Sequence, residues 1–166
     1  MIGTLLAGGL SACAYEGEDS PQPGAARTSP RPAPTLPARD PDVLAAEKRN
    51  YADLEQRLSG ASGQVLLSDS GPADGPGVGF RKTATVDAAG PYTVTAACVG
   101  IPAAQISLFQ ETVGGSEHQR IDVDCGQTRT QTVQLRQGYI SALLTRRVDP
   151  AGAWTGAVAG IRITAG

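Results

Sequence analysis

The sequence is poor in the residues that usually carry chemistry. It has one histidine, His118, and three cysteines that stand alone at Cys13, Cys98 and Cys125. Without a CxxC pair it offers neither a zinc knuckle nor a thioredoxin-type redox motif. It contains no GxSxG and no HExxH, so two common hydrolase signatures are absent. It lacks a dominant charge: 14 Lys and Arg face 16 Asp and Glu, for a formal net charge of −2. From Gly60 to the end the two signs are equal in number, which leaves no electrostatic footprint for nucleic acid or an anionic surface. Aromatic residues make up only 4% of the chain, so a broad stacking platform is not expected. No apolar run approaches the ~20 residues that a membrane-spanning helix needs.

What is present is ordered along the chain by composition. Met1 to Leu10 is uncharged and mostly apolar, of a length that suits the apolar core of a signal peptide. Small residues follow, then Cys13, then a switch to Glu16, Glu18 and Asp19. Leu10-Ser11-Ala12-Cys13 resembles the lipobox of bacterial lipoproteins. That resemblance implies a diacylglyceryl group on the Cys13 sulfur and cleavage before it, so that residues 1–12 are removed. No Lys or Arg precedes Cys13, and a start upstream of Met1 is the expected source of the charged segment. Two acyl chains satisfy the two-signal requirement for lasting membrane attachment. The protein is therefore expected on the extracytoplasmic face of the cell membrane, held there by lipid.

Residues 13–39 read as a disordered tether. Pro21, Pro23, Pro30, Pro32, Pro34 and Pro37 interleave with Ser, Ala, Gly and Arg, with no apolar periodicity from which to build a core. Residues 40–60 read as one amphipathic helix. Asp40 can cap it, Pro41 fits its first position, and Ser59-Gly60 stops it. Leu44, Tyr51 and Leu58 recur every seven residues, with Leu54 on the same face. That stripe is expected either to pack on the adjoining domain or to serve as a partner-binding surface.

Residues 61–166 read as mainly β, an antiparallel sandwich of seven or eight strands with jelly-roll or Ig-like connections. Strands are expected near 78–86, 92–99, 104–110, 118–125, 130–136, 139–146 and 154–164, with a shorter one at 65–68. The first two of the longer strands are expected to form a hairpin through Asp87-Ala88-Ala89-Gly90. Tyr92, Val94, Ala96 and Cys98 share one face of their strand, and Ile121, Val123 and Cys125 share one face of theirs. Both thiols therefore point inward, and a Cys98–Cys125 disulfide is expected in an oxidising compartment. In the last strand Trp154, Gly156 and Val158 are out of phase with Ile161 and Ile163, which predicts a bulge at Ala159-Gly160. Gly90 to Cys98, Val123-Asp124-Cys125 and Val133-Gln134-Leu135 together resemble disulfide-bonded β-sandwich domains of lipoproteins from high-GC Gram-positive bacteria.

The remaining candidates for chemistry are weak. His118 lies in polar Ser116-Glu117-His118-Gln119 and reads as an exposed strand-end residue. Gly75-Pro76-Gly77-Val78-Gly79 imitates a phosphate loop, but no helix follows it. Asp69 with Asp74, and Asp122 with Asp124, supply too few oxygens for calcium's six to eight ligands without backbone help. No metal, cofactor or catalytic residue is assigned. Of the larger rings, Phe109 opposes Ile106 and Leu108 in parity, which points it outward, yet the preferred reading packs all three, Trp154, Tyr139 and Phe109, in the core or under the helix. Two functions remain: a surface lipoprotein whose domain or helix meets an envelope protein, or a module that binds carbohydrate or cell-wall glycan. Aromatics clustered on one solvent-facing sheet would favour the second, and an apolar groove beside the helix the first.

Overall fold

The computed structural model describes residues 40–75, 79–112, 114–145 and 153–166. The expected signal peptide, Cys13 and the proline-rich tether lie outside these residues, as do parts of the glycine-rich loop. Helix α1 spans Pro41–Ser59, and the Asp40 carboxylate accepts a hydrogen bond from the Asp42 amide at 2.8 Å. Both boundaries fall where the capping signals put them.

Eight strands follow: β1 (Val65–Pro72), β2 (Arg81–Val86), β3 (Gly90–Val99), β4 (Ala103–Thr112), β5 (Gly115–Asp124), β6 (Arg129–Leu135), β7 (Gly138–Thr145) and β8 (Val158–Ala165). They form two antiparallel four-stranded sheets, ordered β1-β8-β3-β6 and β2-β7-β4-β5. This interleaved order is that of a jelly roll, which settles the choice left open between jelly-roll and Ig-like connections.

The order corrects the expected hairpin. β2 pairs with β7, whereas β3 pairs with β6 and β8, so residues 87–89 carry the chain from one sheet to the other. Turn residues mark a corner between sheets as readily as a hairpin, and only the pairing distinguishes the two. Among successive strands, β4 and β5 are the pair that hydrogen-bond to each other.

The main core lies between the sheets and includes Val94, Ile106, Ile121, Ile140, Ile161 and Ile163. Cys98 and Cys125 join there in a disulfide, with Cα atoms 4.6 Å apart. A second, smaller cluster of Leu54, Leu58, Ala97 and Val158, with Tyr51 and Val99 beside it, lies on the other side of the first sheet. Helix α1 thus covers the outer face of β3 and β8.

That arrangement also overturns the expected bulge. β8 pairs with β3 without a break from Val158↔Val99 to Ala165↔Tyr92. Ala159, Ile161 and Ile163 face the sandwich, and Val158 faces the helix. Parity implies a bulge only in a strand with one solvated face; β8 is buried on both, so apolar residues of either parity have a place to go. Trp154 and Gly156 precede the strand. The irregularity in this sheet lies in β1, between Val65 and Leu67.

Candidate functional site

The two outer faces of the sandwich differ. On the first sheet, α1 closes the surface through several independent contacts. Leu54 and Leu58 are 1% and 2% exposed. Asn50 Nδ2 donates to the Gly156 carbonyl at 2.8 Å, and Arg57 Nη1 donates to the Cys125 carbonyl at 2.8 Å. Arg162, on the sheet, donates back to the Leu58 carbonyl at 3.2 Å. Of the stripe read as a possible interaction surface, Leu54 and Leu58 are therefore taken up by the domain itself. Tyr51 packs beside them, and Leu44 is 47% exposed. The reading of the helix as packed on its own domain describes Leu54 and Leu58; the partner-binding reading does not.

Among the described residues, no helix lies over the outer face of the second sheet, β2-β7-β4-β5. Its side chains form a lattice set by strand register. One row runs Thr83, Ser141, Phe109, His118, and the next runs Thr85, Tyr139, Glu111, Ser116. A third runs Arg81, Leu143, Ser107, Arg120. Period-two alternation puts them outward because Ile140, Ala142, Leu144, Ile106 and Leu108 fill the core from the same strands.

Two of the larger rings stand on this face. Phe109 is 39% exposed, as its parity suggested, and Tyr139 is 59% exposed, which corrects the expectation that both would pack inside. The signal for Tyr139 was present: it alternates with Ile140, Ala142 and Leu144. Trp154 is half-buried at one end of the sandwich, with its indole against Gly75. His118 is the cross-strand partner of Phe109, and the two rings stack with centroids 4.4 Å apart and planes 6° from parallel. The sequence placed His118 at an exposed position but did not give the β4–β5 register that makes it the neighbour of Phe109.

The stack has a geometric consequence. His118, on β5, covers one face of the Phe109 ring, so the opposite face turns toward β7. There it lines a depression of about 460 Å³ together with Arg81, Thr83, Glu111, Tyr139 and Ser141. This volume lies within the ~300–1,000 Å³ of small-molecule sites. Ser141 forms the floor and shares a 2.7 Å hydrogen bond with Thr83 across to β2. Arg81 and Glu111 bring opposite charges to the rim. Leu143 extends the apolar part of the floor at the end away from Tyr139.

The carboxylates considered for calcium are engaged in local structure. Asp74, which is buried, accepts from both the amide and the hydroxyl of Thr155. Asp124 accepts from the Gly126 amide in the turn after β5, and Asp122 accepts from Gln105 across β4 and β5. Asp69 accepts from the amide of Ser70. These are bonds that shape a turn, a strand edge or a loop.

No family model matches the chain, and no curated protein matches it. Among solved structures, the C-terminal domain of a structural protein from Sulfolobus turreted icosahedral virus aligns at a TM-score of 0.35 and 12% identity. That alignment covers 60% of this chain and 93% of the viral domain. A β-glucosidase from Streptomyces venezuelae, crystallised with D-glucose, aligns at 0.33 and 15% identity. The match takes in 65% of this chain and 12% of the enzyme. Likenesses this slight carry no functional weight.

Proposed function

We propose that the chain is a lipid-anchored, extracytoplasmic lipoprotein whose jelly-roll domain is a non-catalytic binding module. Cys13 is the anchor in this reading, and the proline-rich residues 14–39 are the spacer that lifts the domain from the membrane. The binding face is the outer surface of β2-β7-β4-β5. The observation that carries the assignment is the asymmetry of the sandwich. Among the described residues, one outer face is covered by the domain's own helix, while no helix lies over the other, which holds Phe109, His118 and Tyr139. The same asymmetry argues against an envelope protein seated along α1, since Leu54 and Leu58 are not available to it. The lone histidine stacked on a phenylalanine, and carboxylates engaged by turns and strand neighbours, support a role by contact rather than catalysis.

The test is site-specific crosslinking on intact cells. A photoreactive residue in place of Tyr139 should give crosslinked products, and one in place of Leu44 should give none. Products from the Leu44 position alone would move the binding face to the helix and defeat the assignment.

A further inference from the structure

We infer that the depression over β7 binds a neutral carbohydrate, with the free face of Phe109 as its stacking wall. The inference rests on the reading of that sheet face as the binding face and names the ligand it takes. Three features of the site lead to it. The ring of Phe109 stacks on His118, 6° from parallel, which leaves its other face to a ligand. An aromatic face carries negative quadrupole charge, which suits the slightly positive C–H groups on one side of a sugar ring. Beside that wall lie hydroxyls, Ser141 and Thr83, already hydrogen-bonded to each other at 2.7 Å, that can both donate and accept. Arg81 and Glu111 stand at the rim, and charged groups of this kind make the stronger hydrogen bonds to a ligand's hydroxyls.

The charge balance excludes other ligands. Across the outer face, Arg81 and Arg120 stand against Glu111, Asp122 and Asp124, an excess of one negative charge, and the depression itself holds one charge of each sign. A phosphorylated ligand or a nucleic acid would meet no net positive field. A peptide cannot add as a strand here, because β7 and β4 lie inside the sheet and each already pairs on both sides. A protein surface would find Phe109, Tyr139 and Leu143 interleaved with hydroxyls and with the ions Arg81 and Glu111, where the centre of a stable interface is usually depleted of charge. A ligand that presents alternating C–H faces and hydroxyl edges, with no net charge, matches wall, floor and rim together.

The experiment uses the full chain carrying Cys13→Ser, so that no lipid is attached. Its binding to insoluble cellulose, chitin and purified cell-wall sacculi is read by depletion. Its binding to soluble cello-, chito-, malto- and manno-oligosaccharides is read by calorimetry. The expected result is saturable binding to at least one neutral glycan, unchanged by added salt. Phe109→Ala should weaken it roughly tenfold, equivalent to ~1.4 kcal/mol, and Ser141→Ala should weaken it severalfold. Leu44→Ser, far from the site, should bind as the parent does. Phe109→Leu serves beside Phe109→Ala: it keeps the apolar bulk and removes the π face, so loss of binding with an unchanged melting temperature isolates stacking from folding. Failure of all these glycans to bind, or binding that salt abolishes, overturns the carbohydrate inference. The crosslinking at positions 139 and 44 then separates the two levels. If position 139 yields a crosslinked protein while no glycan binds, the face stands and the carbohydrate falls. If position 139 yields nothing, both fall.

Discussion

Arg57 ties the helix to the disulfide. Its guanidinium donates to the carbonyls of Cys98 and Cys125, the two residues that the bridge joins, and Asp53 one turn back holds it in place at 2.9 Å. Helix docking and crosslink therefore meet at one corner of the sandwich. The bridge closes a loop with a sequence separation of 27, worth about 3–4 kcal/mol on the chain-entropy model. Replacing both Cys98 and Cys125 with Ala should lower the melting temperature by about 10–20 °C in a domain of this size. Arg57→Ala alone should cost about 1–2 kcal/mol, because it removes charge-assisted hydrogen bonds to two backbone oxygens. The two changes should combine to less than their sum, since each loosens the anchorage the other depends on. Denaturant titration of the four variants measures this, and strict additivity would show that Arg57 and the bridge act separately. The inward aim of both thiols was legible from parity with Val94, Ala96, Ile121 and Val123. The role of Arg57 was not, because a charge on the flank of a helix carries no mark of the carbonyls it will meet.

Helix α1 was legible almost to its last residue because its ends are written in local chemistry: an aspartate cap, a proline at the first position and a glycine stop. What lies beneath it was not. Covering one sheet turns β3 and β8 into strands buried on both faces, and a strand of that kind loses the alternation from which its phase is read. The same cover demands close approach. At Gly156 the backbone has φ +82°, and a Cβ there would sit 2.6 Å from the Glu47 nitrogen of the helix. Gly156→Ala should therefore push the N-terminal half of α1 off its seat and break the Asn50 bond to the Gly156 carbonyl. Leu54→Ala should cost about 2–5 kcal/mol by opening a cavity under the C-terminal half. Leu44→Ser, at an exposed position, should stay within ~0.5 kcal/mol of the parent. Hydrogen exchange along α1 should then rise in the first two variants and not in the third. Protection of residues 41–59 left intact by Leu54→Ala would mean that the helix is held by its polar contacts alone.

At the scale of the whole molecule, the proposed anchor and binding face and the observed bridge make demands that one compartment would meet together. A disulfide persists where the surroundings are oxidising, and that is also where a lipobox cysteine would deliver the domain. The Cys98–Cys125 bridge and the proposed anchor can be measured separately. Expressed from a start that supplies a charged signal segment, the parent should take up an alkyne-labelled fatty acid and sediment with membranes. Cys13→Ala should take up no label, whatever hold its uncleaved apolar segment keeps on the membrane. Alkylation of Cys98 and Cys125 before and after reduction reports the compartment independently of the lipid. A variant that loses the label but keeps both thiols blocked has been exported without its anchor, which is the expected outcome. If Cys13→Ala stays as firmly bound as the parent and still carries label, the lipid is not on Cys13. If both domain thiols alkylate freely in the native parent, the chain has not left the cytoplasm, and the case for a surface module facing neutral glycan loses its ground.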